Sequence, residues 1–530
     1  MRIEPGPKRW LTLAALALAV FTLTYGVFDT VSQNNEPLAR GDVSSLSNEP
    51  SGSTNCQGVK VQDGDDLASI ADAAPSNTTF CISGFHRLTG EIVPKDGQRF
   101  IGVGWPVLNG SGLLTSFDQA NGLFLVTGQT QDYQQVSSTI EGERCMEGYE
   151  GCRFPEDVYL DDRFLQKVLS MDELEPGKYF FDYSADTIYL ADDPSGHKVE
   201  ASVVRRAFAN YDGANDVVIR GLVVEKFSAY SGEDGAIAAF KADNWVVERN
   251  EVRLNHGSGI MASDTHGMVI RGNQIHTNGC GGITGAAPAT LLIEGNEIAF
   301  NNALFYQSFD WSCGGGKLVR ADGVIFKDNR LHDNNGFGFW TDGMNINVLY
   351  EGNTFEDNAM GGILHEINDG AGGQTVIRDN QFGGNGFGHP NRIMFGAAIM
   401  INASNHVKIV GNLLGVNAHG ITLDYTPRDA FPGSDLTVHD ILVSDNEIHL
   451  PSGQDPHSDV GRVGFYTGIV GAPPPSKVTF ADNHYFLGDL ANGPHFSLPD
   501  PALMNTLSTA AEWQAAGFDT SSQFSRDNVP

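Results

Sequence analysis

Two carboxylates fall in the same slot of consecutive repeats. Asp342 follows Asn329 at the same interval by which Glu366 follows Asn353. If the repeats stack as strands, neighbouring rungs sit about 4.8 Å apart and side chains alternate between faces. Asp342 and Glu366 then leave adjacent rungs on one face, with their carboxyls roughly 5 Å apart. Like charges at that distance resist joint ionisation. One group keeps its proton and can serve as a general acid, while the other stays charged and can attack carbon. Retaining cleavage of a glycosidic bond uses a carboxyl separation of about 5–5.5 Å.

The slot continues along the chain. Aligning "AAIMIN" and "HGITLD" with "GGILHE" puts Asn402 and Asp424 in it. Lys317, one coil before Asp342 and ahead of Asn329, falls near the same face. Trp340 points the same way and offers a stacking surface to a sugar ring. His365 adjoins Glu366 and is placed to tune it or to pack. Asp342 and Glu366 are therefore the candidate catalytic pair, with Lys317, Trp340, His365, Asn402 and Asp424 as candidate substrate-binding residues. In earlier repeats the slot holds Ser263 and Ala286, so the polar stripe is local.

The elements that must hold this stripe are legible in the repeat. Asn250, Asn273, Asn296, Asn329, Asn353, Asn380, Asn412 and Asn446 open equivalent segments, each with an apolar residue two positions later. All but the last carry a second Asn five positions on. The tightest spacings are 23, 23 and 24 residues. That period, with short β-branched segments, predicts an all-β, single-stranded right-handed parallel β-helix, a solenoid whose stacked coils share one core. Asn at a fixed corner tolerates left-handed backbone and can bond to its stacked neighbours. Gly259, Gly282, Gly338 and Gly362 near the next corner suggest positive φ.

The domain reading follows. "DDLASIADAAP" at 65–75 has helical spacing and predicts a short N-terminal cap, so residues 56–130 hold the cap and first coils. Residues 131–200 break the repeat and predict a small β-rich insertion. The main β-helix is expected over 201–490, and a C-terminal cap or tail over 491–530. Lys8 and Arg9 precede an apolar run from Trp10 to Phe28, which reads as a signal peptide or membrane anchor within 1–28. Residues 29–55 read as a flexible linker, so the remainder faces outside the cytoplasm and meets a membrane through its N-terminus alone.

Six cysteines fit an oxidising compartment, and their order suggests Cys56–Cys81, Cys145–Cys152 and Cys280–Cys313. The formal net charge of −32 argues against a nucleic-acid partner. The carboxylate chemistry requires no cofactor. Asp63, Asp65 and Asp66 could take calcium or cap the first helix. A monomer is expected.

The Asn-ladder repeats resemble right-handed parallel β-helix proteins of the pectate-lyase-like superfamily. The segment "GFWTDGMNINVLYEGNTFEDNAMGGILHEIND" resembles the catalytic segment of glycoside hydrolase family 120 β-xylosidases. That resemblance implies Asp342 as nucleophile, Glu366 as acid/base, and a β-rich insertion interrupting the coils. The Asp-Pro-His-Asp signature of β-helix epimerases is absent, as are the Arg/Asp clusters of pectate lyases. The expected function is retaining hydrolysis of an oligo- or polysaccharide. The alternatives are a polysaccharide lyase acting on a uronate polymer, with Lys317 as base, and a non-catalytic surface protein that binds glycan or cell wall.

Overall fold

The computed structural model describes residues 56–526 apart from 132–144, 212, 231–233, 307–312, 389–395, 451–460, 489–494, 501 and 503. The expected N-terminal signal and linker lie outside the described residues. Among those described, no helix is long and apolar enough to cross a membrane.

Each repeat contributes one strand to each of three long sheets, of 13, 12 and 13 strands among the described residues. Successive strands pair in parallel, with residue-to-residue register, as in Ile270↔Ile293↔Phe326↔Tyr350. The chain is a right-handed parallel β-helix. One continuous core fills its interior. Phe339, Ile363, Ile399 and Ile421 from the second sheet meet Phe326, Tyr350 and Ile377 from the first and Leu331, Phe355 and Phe382 from the third. Every one of these is buried because no single coil can cover its own apolar face.

The ladder Asn side chains are the second cohesive element. Asn353 accepts from the backbone N–H and the Nδ2 of Asn329, both at 2.9 Å. Its own Nδ2 donates to Phe326 O at 2.8 Å and to Asn380 Oδ1 at 2.9 Å. The left-handed residue at this corner is not the Asn but the one before it, such as Arg249 (φ 52°), Asp328 (φ 53°) and Asp379 (φ 56°). The Asn instead spends its amide on neighbouring rungs. Gly282 and Gly362 likewise owe their identity to crowding rather than to positive φ. A Cβ would stand 2.6 Å from Gly315 O in the first case and 2.4 Å from Ala398 O in the second. Replacing Asn353 with Ala strips donors and acceptors from two rungs of the dry interior. The expected cost is about 2–3 kcal/mol, read as a lower denaturant midpoint at unchanged slope.

The ends are closed as their sequences suggest. Helix α1 (Leu67–Ala73) buries Leu67 and Ala71 over the first coil, and Asp66 caps it by accepting from Ser69 N at 3.1 Å. Asp65 accepts from Gln62 N and Asp63 from Phe85 N, so these acids serve the backbone of the cap. At the far end the coils run past residue 490. Strand Phe496–Asp500 continues the second sheet and Gln523–Arg526 the third, with helix α2 (Ala510–Ala515) between them burying Trp513. The excursion also begins earlier than residue 131. Strands Ser111–Leu114, Asp118–Ala120 and Leu123–Thr127 leave the coils and pair antiparallel with later strands of the insertion or with one another. Lys226 fastens the insertion at its return, fully buried between Asp162 and Glu200. All three expected disulfides are formed.

Candidate active site

Five adjacent rungs of the second sheet build the site: β1 (Gly314–Val319), β2 (Phe337–Asp342), β3 (Gly361–Glu366), β4 (Ala397–Asn402) and β5 (His419–Asp424). Register places Asp342 opposite Glu366, Glu366 opposite Asn402, and Asn402 opposite Asp424. The four polar residues form one unbroken row on the outer face. The row ends at Tyr466, opposite Asp424, which the sequence spacing did not reveal.

A second row runs beside it, two residues earlier on each strand: Lys317, Trp340, Leu364, Met400 and Thr422. Lys317 belongs to this row, opposite Trp340 rather than Asp342. Its ammonium reaches diagonally to Asp342 Oδ2 at 2.7 Å and lies 3.7 Å from the centroid of the Trp340 ring. Trp340 is 5% exposed and packs with Phe337, Met360, Leu364, Ala397 and Met400. It is therefore an inner wall of the site and not the open stacking platform its position suggested. The apolar row makes a low-dielectric flank for the carboxylates.

The other flank is a loop within the long interval from Asn412 to Asn446, where the repeat spacing calls for an insertion. After Asp424 the chain leaves the coil, and residues 425–438 return Arg428 to the row, with Nη2 3.4 Å from Glu366 Oε1. Phe431 from the same loop packs against Gly343, where a Cβ would come within 3.2 Å of its ring.

Environment separates the two acids. Asp342 is 18% exposed and ion-paired with Lys317. Glu366 is buried, and Asn402 Nδ2 donates to its Oε1 at 3.1 Å. Burial first, and then the charge of Asp342, push the Glu366 carboxyl up to about 7, against the opposing pull of Arg428 and Lys317. Asp424 is also raised by burial, and Thr426 donates to it through backbone N–H and hydroxyl.

His365 does not join the row. Strand alternation turns it inward, where it is fully buried and bonded to Thr341 Oγ1 at 2.8 Å and to Asn368 Nδ2 at 3.2 Å. Burial depresses its imidazole to about 3, so it stays neutral. Its assignment to substrate contact is withdrawn: it is core packing behind the carboxylate. Nearby, Asn345 and Asn368 form a short third ladder, and Asn345 Nδ2 holds Asp342 O at 2.9 Å. This ladder fixes the backbone from which both acids project.

The face retains unspent polar valence. Among the described residues, no hydrogen-bond partner meets Trp340 Nε1, Asp342 Oδ1, Asn402 Oδ1 or Thr422 Oγ1, although all four atoms are buried. Four such atoms lie together on this one outer patch.

The sequence profile described as "Right handed beta helix region" matches residues 181–308 and 235–414. A solved structure of XylC in complex with xylose superposes with a TM-score of 0.61 at 15% identity, covering 88% of this chain and 83% of that one. The A-module of the mannuronan C-5 epimerase AlgE6 of Azotobacter vinelandii matches with a TM-score of 0.48 at 14% identity, over 88% of this chain and 97% of that one. The catalytic domain of a GH87 α-1,3-glucanase matches with a TM-score of 0.42 at 13% identity, over 84% and 68%. These likenesses are of fold. No curated protein matches the chain.

Proposed function

We propose that this right-handed parallel β-helix is a retaining glycoside hydrolase, with Asp342 as nucleophile and Glu366 as acid/base. The observation that carries the reading is the opposed environment of two carboxylates on adjacent rungs. Asp342 is ion-paired with Lys317, while Glu366 is buried and raised toward its protonated form. In the first step Glu366 would donate its proton to the glycosidic oxygen as that C–O bond breaks. Asp342 Oδ1, the oxygen not engaged by Lys317, would bond the anomeric carbon. In the second, water attacks that carbon, Glu366 takes the water's proton, and the Asp342 ester opens. The unspent polar atoms of Trp340, Asn402 and Thr422 are suited to sugar hydroxyls. A sugar complex is known for the same fold in the XylC–xylose structure. Lys317 Nζ is engaged by Asp342 and lies over the Trp340 ring, which speaks against its use as a lyase base.

The test is turnover of aryl glycosides and of plant and microbial polysaccharides by the protein and by its Asp342→Asn and Glu366→Gln variants, with product configuration followed by NMR. A released reducing sugar of retained configuration, lost in both variants, supports the reading. An unsaturated uronide product would establish a lyase instead. Glycan retention without turnover would leave a binding protein.

A further inference from the structure

A second cluster of chemistry-bearing groups lies away from the carboxylate row, at the corner that leads into the first sheet. Strands Val407–Val410 and His439–Ser444 pair with Val407 opposite Ile441, so His406 stands one rung from Asp440. Both corner residues take left-handed backbone, at φ 54° and 51°, which turns their side chains to the same side. His439 joins them, its ring 5.4 Å from that of His406 and nearly perpendicular to it. One ligand atom from each of His406, His439 and Asp440 lies within 4.8 Å of the others.

His439 in this cluster has a carboxylate on each side of its ring. Its Nε2 lies 3.1 Å from Asp435 Oδ2 and its Nδ1 lies 2.8 Å from Asp440 Oδ2. With a cation at Nδ1 and Asp440, Nε2–H faces Asp435 and donates to it. A carboxylate behind a ligating histidine is the recurrent arrangement at metal sites, where it fixes the tautomer. Asp435 is itself held, accepting from Thr437 N at 3.2 Å and from Thr437 Oγ1 at 2.5 Å. Lys477, one rung further along the corner, lies 3.4 Å from Asp440 Oδ1 and 3.5 Å from Oδ2, mostly exposed and free to swing aside.

We infer that His406, His439 and Asp440 form a binding site for one divalent transition metal, oriented by Asp435. Two imidazoles and one carboxylate suit a borderline ion, zinc above all, with water completing the coordination. Bonds of about 2.0–2.2 Å require ligand atoms roughly 3.3 Å apart, a contraction that side-chain rotation supplies from the present spacing. Asp435 also ends the loop that carries Arg428: its N–H donates to Asp369 Oδ2 and its carbonyl accepts from Asn405 Nδ2. Metal at this corner therefore pins the far end of the loop that covers Glu366.

The experiment is titration of the chelator-treated full-length protein with Co²⁺, read by its visible absorption, and with Zn²⁺, read by calorimetry. Neither readout depends on turnover. One ion per chain is expected, lost in His406→Ala and Asp440→Asn. Asp435→Asn should weaken it by about 10- to 100-fold. Lys477→Ala leaves every ligand in place and removes the competing ammonium, so it should bind more tightly. Absence of Co²⁺ and Zn²⁺ binding overturns the site, and so does binding unchanged by His406→Ala and Asp440→Asn. Weaker binding in Lys477→Ala, a variant with no ligand lost, overturns it as well.

Discussion

Asp342→Asn is expected to lower turnover of an aryl glycoside by about 10⁴-fold or more, because the bond-forming oxygen is lost and no other group on the row can replace it. Asn402 is an amide, and Asp424 is two rungs from Glu366 with its Oδ1 held by Thr426. Glu366→Gln should behave differently, and the difference is diagnostic. A general acid contributes roughly 10²–10⁴-fold, and only where the leaving group needs a proton. A sugar leaving group should show the full loss. A nitrophenolate departs without help, so its release should survive as a burst of one equivalent per active site. The burst then stalls, because the same Glu366 must take the proton from the incoming water. Pre-steady-state release of the phenolate checks this. An equal loss for good and poor leaving groups would remove Glu366 from the acid/base role and leave it as a binding group.

Much of this site was legible before any coordinates because register in a solenoid is set by the repeat. Counting the same interval from Asn329 and Asn353 placed Asp342 opposite Glu366, and aligning the strand segments themselves extended the row to Asn402 and Asp424. The three disulfides join cysteines that are neighbours in sequence order. What the sequence hid lies where periodicity stops. Arg428 and Phe431 arrive on an insertion between rungs, and no spacing rule ties Arg428 to Glu366. Trp340 was assigned correctly to the outer face, but an outer face is not an open one, and its burial depends on flanking Met400, Leu364 and the Lys317 ammonium. The insertion's first strands read as coil because Ser111–Leu114 and Leu123–Thr127 are as apolar as the rungs they follow. Parity already turned His365 inward, and its nearness in sequence to Glu366 was misleading as evidence of a shared site.

The state of Glu366 links activity to stability, and both should change over the same pH window. Its carboxyl is raised from the ordinary 4.5 to about 7, by burial and by Asp342, with Asp424 adding to the effect. Between those values the folded protein holds a proton that the unfolded chain has released, so stability falls as pH rises through the window. At about 1.4 kcal/mol per pH unit the loss is roughly 3 kcal/mol once pH exceeds 7. Glu366→Gln resembles the protonated acid at every pH. It should match the parent near pH 4.5 and exceed it by up to about 3 kcal/mol at pH 8 in denaturant unfolding, while losing turnover. Activity on a substrate with a poor leaving group should decline about tenfold per pH unit above 7, as the general acid loses its proton. Arg428 opposes the rise, since its guanidinium faces Glu366 Oε1 and favours the charged form. Arg428→Ala should therefore move the basic limb of kcat/KM to higher pH, and Lys317→Met should do so too if Asp342 remains able to attack. A limb that moves to lower pH, or stays in place in Arg428→Ala, would mean that the titrating group is not Glu366. With Glu366 as that group, the protein is expected to be more stable above pH 7 once the acid is replaced by Gln, because the fold gives up stability to keep it dry beside a charge.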